Sequence, residues 1–430
     1  MPKLHLIAVA ACLFAAPLPA KPLITSSEAT LARICLKFGD TPERVLAACD
    51  GALIEPGVTE GLRADLAAAR GDALAALDRQ AEAEGAFRAA LASNPNSTDG
   101  LNGLGWSLRA QQREDEAYEA FGKSLAVDVS ADALAGRAAT GRSTGAVDGD
   151  EARKMLEAAL SISPGDVWVQ REIGWSYFED EDYSAAREWF GKAAAGDGTD
   201  VNAEYGLGRV ALLLDEPEAA LEHFNALLAV EGDNESALLY RMVTLRALDR
   251  NAQALREAER YIADHPDDTG GYVQKGRALL ALQRRGEALK TYEDAEALLG
   301  PSNTIAYWHA DALSWDGQME AALAKIDEAL ALEGAGTDDL ILKSYIALEL
   351  KRYPLARRAA EKALETGAND PWAQFYVAIS LIHDGKADEG LTRFDAAIAA
   401  GLPADQVGFF AKELISEGKW VQAAQLRLKY

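Results

Sequence analysis

The chain has 430 residues, 49% of them hydrophobic and 26% charged, which is too apolar for a disordered chain and long enough to bury a large core. Its 68 acidic residues against 43 basic ones give a formal net charge of −25, which repels phosphate backbones and anionic lipid surfaces and argues against general nucleic-acid binding. Three cysteines and five scattered histidines, none in close ligand spacing, leave no zinc or haem motif, and no metal or other cofactor is expected.

Met1-Pro2-Lys3 opens with a positive charge, Leu4 to Ala16 is apolar, and Pro17 to Ala20 ends on a small residue before Lys21. That is the layout of a secretory signal peptide over residues 1–20, and it predicts an exported, periplasmic protein. A competing reading takes Val9-Ala10-Ala11-Cys12 as a lipoprotein box acylated at Cys12, although the apolar stretch before it is short. Beyond the leader no apolar run is long enough to span a bilayer.

Loss of the leader leaves Cys35 and Cys49, an even count for an oxidising compartment, so a disulfide is expected, with two buried thiols as the alternative. A turn near Gly39 to Pro42 sets the two cysteines across an antiparallel helix pair, which makes residues 21–62 a degenerate N-terminal hairpin.

From about Ser27 onward the periodicity is helical, with short polar breaks and no alternating β-branched runs, so the chain is all-α. One small residue marks the register: Ala83, Ala117, Ala152, Ala186, Ala220, Ala254, Ala288, Ala322, Ala356, Gly390 and Ala424. Each interval is 34 residues except Ala117 to Ala152, which is 35. Four residues on, most copies carry a larger side chain, as at Phe87, Phe121, Leu156, Phe190, Phe224 and Tyr292. Twelve residues before the Ala a glycine recurs (Gly71, Gly105, Gly174, Gly208, Gly276), and twelve after it Pro95, Pro164 and Pro266 punctuate the exit.

These residues make the chain resemble the tetratricopeptide repeat family, whose unit is a pair of antiparallel helices. The resemblance implies a right-handed superhelical solenoid of about eleven repeats over residues 63–430, held by neighbour interactions. The helix A glycine is expected to face the helix B alanine so that the axes approach, with the aromatic residue filling the gap toward the next hairpin. Two departures mark weak points. Thr140, Met242, Ala310, Ser344, Ala378 and Lys412 stand where helix A has glycine elsewhere, so the C-terminal third matches the pattern less well, and Gly141 to Gly149 is expected to cut its helix short and form a long turn or a locally flexible stretch.

No catalytic motif survives inspection. Phe121-Gly122-Lys123-Ser124 has the tail of a phosphate-binding loop but lies in a predicted helix and lacks the upstream glycine, where Ala117 stands. Asp148-Gly149-Asp150 reads as a turn whose Asp148 caps the next helix rather than as a calcium loop. The chain is therefore read as a non-enzyme.

Function is left to the concave face that lines the groove in tetratricopeptide relatives, where extended peptides or partner helices are bound. Residues at the second, fifth, ninth and twelfth helix A positions share that face. They are Trp106, Arg109, Arg137, Trp168, Arg171, Trp175, Tyr205, Arg209, Arg246, Arg277 and Tyr307, with Asp311. Arginine beside Trp or Tyr offers carboxylate recognition and flat apolar contact, so a protein partner in the cell envelope is expected, held without a membrane span. Two alternatives stay open: the arginines brace neighbouring repeats through carboxylates such as Glu172, Glu179 or Glu204, or the aromatics stack on sugar rings in a glycan-handling module. The last helix, Lys419 to Tyr430, lacks a polar cap after it, so Val421, Leu426, Leu428 and Tyr430 are expected to offer an apolar edge for a partner or a second copy.

Overall fold

A computed structural model describes residues 29–416 except 38, 197–199 and 367–368, together with 423, 424 and 426. The expected leader at residues 1–20, with Cys12, lies outside the described residues. So do Val421, Leu428 and Tyr430 of the expected C-terminal edge.

The described residues form 23 helices and no strand. They fall into two compact units, 1–206 and 207–430, each taken by itself below. The first contains α1 (Ala29–Cys35), α2 (Pro42–Leu53), α3 (Glu60–Ala76), α4 (Gln80–Ser93), α5 (Thr98–Ala110), α6 (Glu114–Val127), α7 (Ala131–Thr144), α8 (Gly149–Ile162), α9 (Val167–Glu179) and α10 (Tyr183–Gly196). The unit boundary falls inside α11 (Val201–Leu213). The second contains α12 (Pro217–Val230), α13 (Glu235–Ala247), α14 (Asn251–Asp264), α15 (Thr269–Ala281), α16 (Arg285–Leu299), α17 (Asn303–Trp315), α18 (Met319–Ala329), α19 (Thr337–Glu349), α20 (Tyr353–Glu365), α21 (Pro371–His383), α22 (Ala387–Ala399) and α23 (Ala404–Ser416).

Helix boundaries follow a repeated local chemistry. Several odd-numbered helices start at a capping side chain: Ser97, Ser130, Asp166, Asn234 and Asp370 each accept a backbone N–H three residues on. The turn from odd to even helix contains one residue in the left-handed region: Asp78, Gln112, Gly145, Glu181, Asp215, Asp249, Gln283, Gly317, Lys351 and Gly385. That conformation reverses the chain within three or four residues and costs a side chain that glycine lacks.

In both units an odd-numbered helix packs along the even-numbered helix that follows it, and the even one packs against the next odd one. Odd-numbered helices also reach each other, as α3 with α5, α5 with α7, α13 with α15 and α15 with α17, while consecutive even-numbered helices have no comparable contact. Each unit therefore draws its odd-numbered helices together on one side.

The packing corrects the expected role of the glycines. What fills the space above Gly71, Gly105, Gly174, Gly208 and Gly276 is an aromatic ring rather than an alanine: a Cβ there would come within 2.2–2.8 Å of Phe87, Phe121, Phe190, Phe224 and Tyr292 respectively. A second glycine closes the other face in three copies. Gly103 of α5 would meet Phe87 at 2.1 Å, Gly136 of α7 would meet Phe121 at 2.3 Å, and Gly206 of α11 would meet Phe190 at 2.8 Å. Each of these rings, fully buried, is shared by its own hairpin and the next odd-numbered helix.

The expected long turn at Gly141 to Gly149 is also corrected. Helix α7 continues to Thr144 with 14 residues, where α5 and α9 have 13. Thr140, Ser143 and Thr144 hydroxyls donate to carbonyls three or four residues back inside the helix, which satisfies them without breaking it. Val147 packs over Gly141, and only Gly145 to Asp148 turns, ending as expected in an Asp148 cap that accepts the Glu151 N–H.

Cys35 and Cys49 lie in α1 and α2 with Cα atoms 4.8 Å apart and their sulfurs at bonding distance, both buried. At the far end Leu426 is buried against α23 beside Phe410 and Leu414, so it does not belong to an uncovered apolar edge.

Candidate functional site

The odd-numbered helices carry the side chains singled out from the sequence, and their surroundings differ between the units. In the first, Trp106 and Trp168 meet edge to face at 5.0 Å, and the Arg109 guanidinium lies 5.6 Å from one ring and 5.9 Å from the other. Trp106 Nε1 donates to Asp132 Oδ1 at 2.7 Å. Arg109 is 3.8 Å from Glu114, and Arg171 donates to both Asp200 oxygens at 2.9 and 3.2 Å. Trp175 packs edge-on against Phe190 and Phe178 and touches Tyr205 at 6.1 Å between ring centres.

Arg137 does not join this row. Its guanidinium lies 4.1 Å from the Tyr118 ring, donates to Tyr118 Oη at 2.9 Å, and rests on Gly122 of α6. The residue that occupies the twelfth position of α7 is Arg142, which reaches Glu172 at 3.6 Å and Glu179 at 3.5 Å. Counting back from Ala152 misses it because the turn after α7 is longer than its counterparts. Glu172 has its carboxyl pushed up by burial, against the pull of Arg142, Arg109 and Arg171.

The first unit's face is not purged of acid either. The Asp72 carboxyl is pushed up to about 6, first by desolvation among the surrounding helices and then by Asp99 and Asp132, although part of the residue still reaches solvent. Asp132 is likewise raised by desolvation, with the Trp106 hydrogen bond opposing it.

In the second unit Arg209 lies 5.5 Å from the Tyr240 ring, which stacks on Phe224. Further along, Arg246 of α13 and Arg277 of α15 line a cavity of about 480 Å³ with Leu280, Trp308, Asp311 and Trp315. The Arg277 guanidinium carbon lies 4.3 Å from the centre of the Trp308 ring, and Tyr307 packs edge-on against the same indole. Burial and the neighbouring Arg277 bring the Arg246 guanidinium down to about 10. Burial also lowers Arg277 and raises Asp311, while Tyr307 is pushed up to about 12. Trp308 and Trp315, at the sixth and thirteenth positions of α17, were missed by a reading restricted to four helix positions. The apolar residues crowded around His309 and Asp311 in the α17 segment were the available signal.

No group of three or more His, Cys, Asp or Glu among the described residues is placed to hold a metal, and none of the helices there is long and apolar enough to cross a membrane. The Phe121 to Ser124 segment lies inside α6, a geometry that cannot cradle phosphate.

Residues 68–133 and 171–237 match the tetratricopeptide repeat family model. No curated protein sequence matches the chain. Among solved structures, yeast Tom70 superposes with a TM-score of 0.54 at 13% identity, over 90% of this chain and 93% of that one. A chain of the APC/C hetero-tetramer Cut9–Hcn1 gives 0.48 at 10% identity, over 94% and 86%. A tetratricopeptide repeat protein from Parabacteroides merdae gives 0.43 at 18% identity, over 58% and 98%. The Tom70 likeness speaks for a shared helical-repeat fold.

Proposed function

Because this chain is a tetratricopeptide repeat protein, we propose that it is a non-enzymatic scaffold of the cell envelope that holds an extended or helical segment of a partner protein against its odd-numbered helices. The observation that carries the reading is where the large side chains go. The Gly, Ala and Phe positions are consumed by packing between repeats, while Trp106, Trp168, Trp175, Tyr205 and Tyr307 recur half-buried on odd-numbered helices beside arginines. Within each unit, half-buried aromatic residues beside Arg are the types that dominate protein interfaces.

The bracing alternative accounts for part of the row. Arg171 with Asp200, and Arg142 with Glu172 and Glu179, are ties between neighbouring repeats, so these arginines position the wall. The glycan alternative finds less support, since Trp106 and Trp168 spend their faces and edges on each other and on Arg109 instead of leaving an open platform. The envelope location rests on the Met1–Ala20 pattern.

Photo-crosslinking residues placed at Trp106 and Tyr307, and as controls at the exposed Glu119 and Arg260 of even-numbered helices, test the scaffold in the native host. One partner protein should be captured from the odd-numbered face alone, in the osmotic-shock fraction. Equal capture from Glu119 and Arg260, or retention of the protein in the cytoplasm, would overturn the reading.

A further inference from the structure

We propose that the cleft between α18 and α20 is a docking surface for an amphipathic helix of another protein, whose apolar stripe fills the cleft and whose flanking carboxylates meet Arg358 and Lys362. This surface lies among the even-numbered helices of the second unit, so it goes beyond the odd-numbered wall and is tested apart from it.

A shortened helix opens the cleft. Arg285, Met319 and Tyr353 begin α16, α18 and α20 on the 34-residue period, but the ends differ. Helix α18 stops at Ala329 after 11 residues where α16 runs for 15, and Gly334 at φ +90° then turns the chain. The missing last turn leaves Leu330 and Ala331 beside Leu340 of α19 and Ala359 of α20, around a cavity of about 450 Å³. Leu340 and Ala359, 6% and 5% exposed, form a recessed apolar floor.

The rim is cationic in an acidic chain. Lys351 to Lys362 holds five basic residues and one acidic one, against 68 acidic and 43 basic residues in the whole sequence. Several of these cations are used inside the fold: Arg352 reaches Glu320 at 2.9 Å and Arg357 reaches Asp384 at 2.7 Å. Asp327, the carboxylate that lines the cleft, is taken by Lys343 at 2.6 Å. Arg358 and Lys362 line the same cleft, are exposed, and have no carboxylate within ion-pair distance among the described residues. Four residues apart, they stand on one face of α20.

Shape and charge together choose the occupant. A bilayer is flat and does not reach a recessed floor, and a polyanionic chain would leave that floor unused. A helix is convex, carries its apolar residues as a stripe, and sets carboxylates three or four residues apart beside it, which matches the spacing of Arg358 and Lys362. The net charge of −25 repels an acidic helix from most of the remaining surface, so docking is confined to where cations stand unpaired.

The probe is the blocked peptide acetyl-Glu-Ala-Leu-Glu-Glu-Leu-Leu-Glu-Ala-Leu-Ala-Glu-amide, titrated to millimolar concentration against the full chain while the methyl resonances of Leu330 and Leu355 are followed by NMR. Both should shift saturably. The analogue with Gln in place of every Glu should bind about tenfold more weakly, and Arg358→Gln/Lys362→Gln should cost a similar factor. Ala331→Glu, which sets a carboxylate at the exposed mouth of the cleft, should weaken binding likewise. Thermal melts of both variants should match the parent, because the replaced side chains are exposed. A silent peptide, equal binding of the Gln analogue, or unchanged affinity of the double variant would overturn the proposal. Phosphatidylglycerol vesicles or heparin shifting the same methyls with the peptide silent would also overturn it, assigning the cleft to a membrane surface or to a polyanion. Crosslinking from Trp106 and Tyr307 should proceed in the double variant as in the parent; its loss would deny a separate surface.

Discussion

Replacing Gly385 by alanine isolates one term of the repeat's energetics. Gly385 has φ +83° in the turn between α21 and α22, and a Cβ there would meet nothing within 4 Å, so no steric clash confuses the result. The left-handed conformation costs a residue with a Cβ about 1–2 kcal/mol, while the stiffer unfolded chain returns about 0.4–1 kcal/mol. The net expectation is a loss of about 0.5–1 kcal/mol. The same turn in α5–α6 holds Gln112 at φ +61°, exposed to solvent, so Gln112→Gly should gain a similar amount by the reverse route. Urea unfolding followed by circular dichroism reads both. With a slope of about 2–3 kcal/mol/M, the midpoint should move by about 0.2–0.4 M, down for Gly385→Ala and up for Gln112→Gly, at unchanged slope. Each variant should move the transition of the unit that contains it, because repeat arrays unfold as coupled neighbours rather than all at once. If both substitutions shift the midpoint in the same direction, backbone strain at this turn is not what separates the copies.

Gly103→Ala would drive a Cβ to 2.1 Å from Phe87 Cε1, so it should destabilise the first unit by about 2–3 kcal/mol, with partial rescue by Phe87→Leu in the same chain; thermal melts of the three variants check this. Non-reducing alkylation of the purified chain followed by peptide mass mapping should find Cys35 and Cys49 unmodified, and reduction should cost about 3 kcal/mol; alkylation of both thiols would end the disulfide reading. Asp72, raised to about 6, binds more protons folded than unfolded, so its contribution to stability falls as pH climbs from about 4 to about 6. Asp72→Asn should therefore stabilise at pH 7 by about 0.5–1 kcal/mol after solvent screening and have no effect at pH 3, which urea midpoints at the two pH values measure.

The period, the all-α class and the helix pairing were readable because a 34-residue spacing of Ala, Phe and Gly survives in most copies. What those residues touch was less readable. Gly and Ala on facing helices look like natural partners for close approach, yet the ring four residues after the Ala projects over the same glycine and takes the space. The second glycine of the sandwich, at Gly103, Gly136 and Gly206, keeps its place only when positions are counted from the helix start. The single 35-residue interval hid two offsetting changes, a shorter lead into α7 and a longer exit from it, so back-counting selected Arg137 instead of Arg142. The repeat register set arginines and aromatics at recurring positions of the odd-numbered helices, but whether a given arginine is already paired depends on carboxylates some 27 to 30 positions away, as with Arg171 and Asp200, a relation that no local pattern reports.

A ring held between two glycines from consecutive hairpins sets where the chain can be cut. A fragment ending with α4 at Ser93 keeps Gly71 against Phe87 but strips away Gly103, leaving one face of the benzene ring in water. Running one helix further, to Ala110, restores the cover. The smallest self-sufficient piece is thus a hairpin plus the odd-numbered helix after it. Excision or grafting of repeats should follow that phase, with each splice placed after an odd-numbered helix.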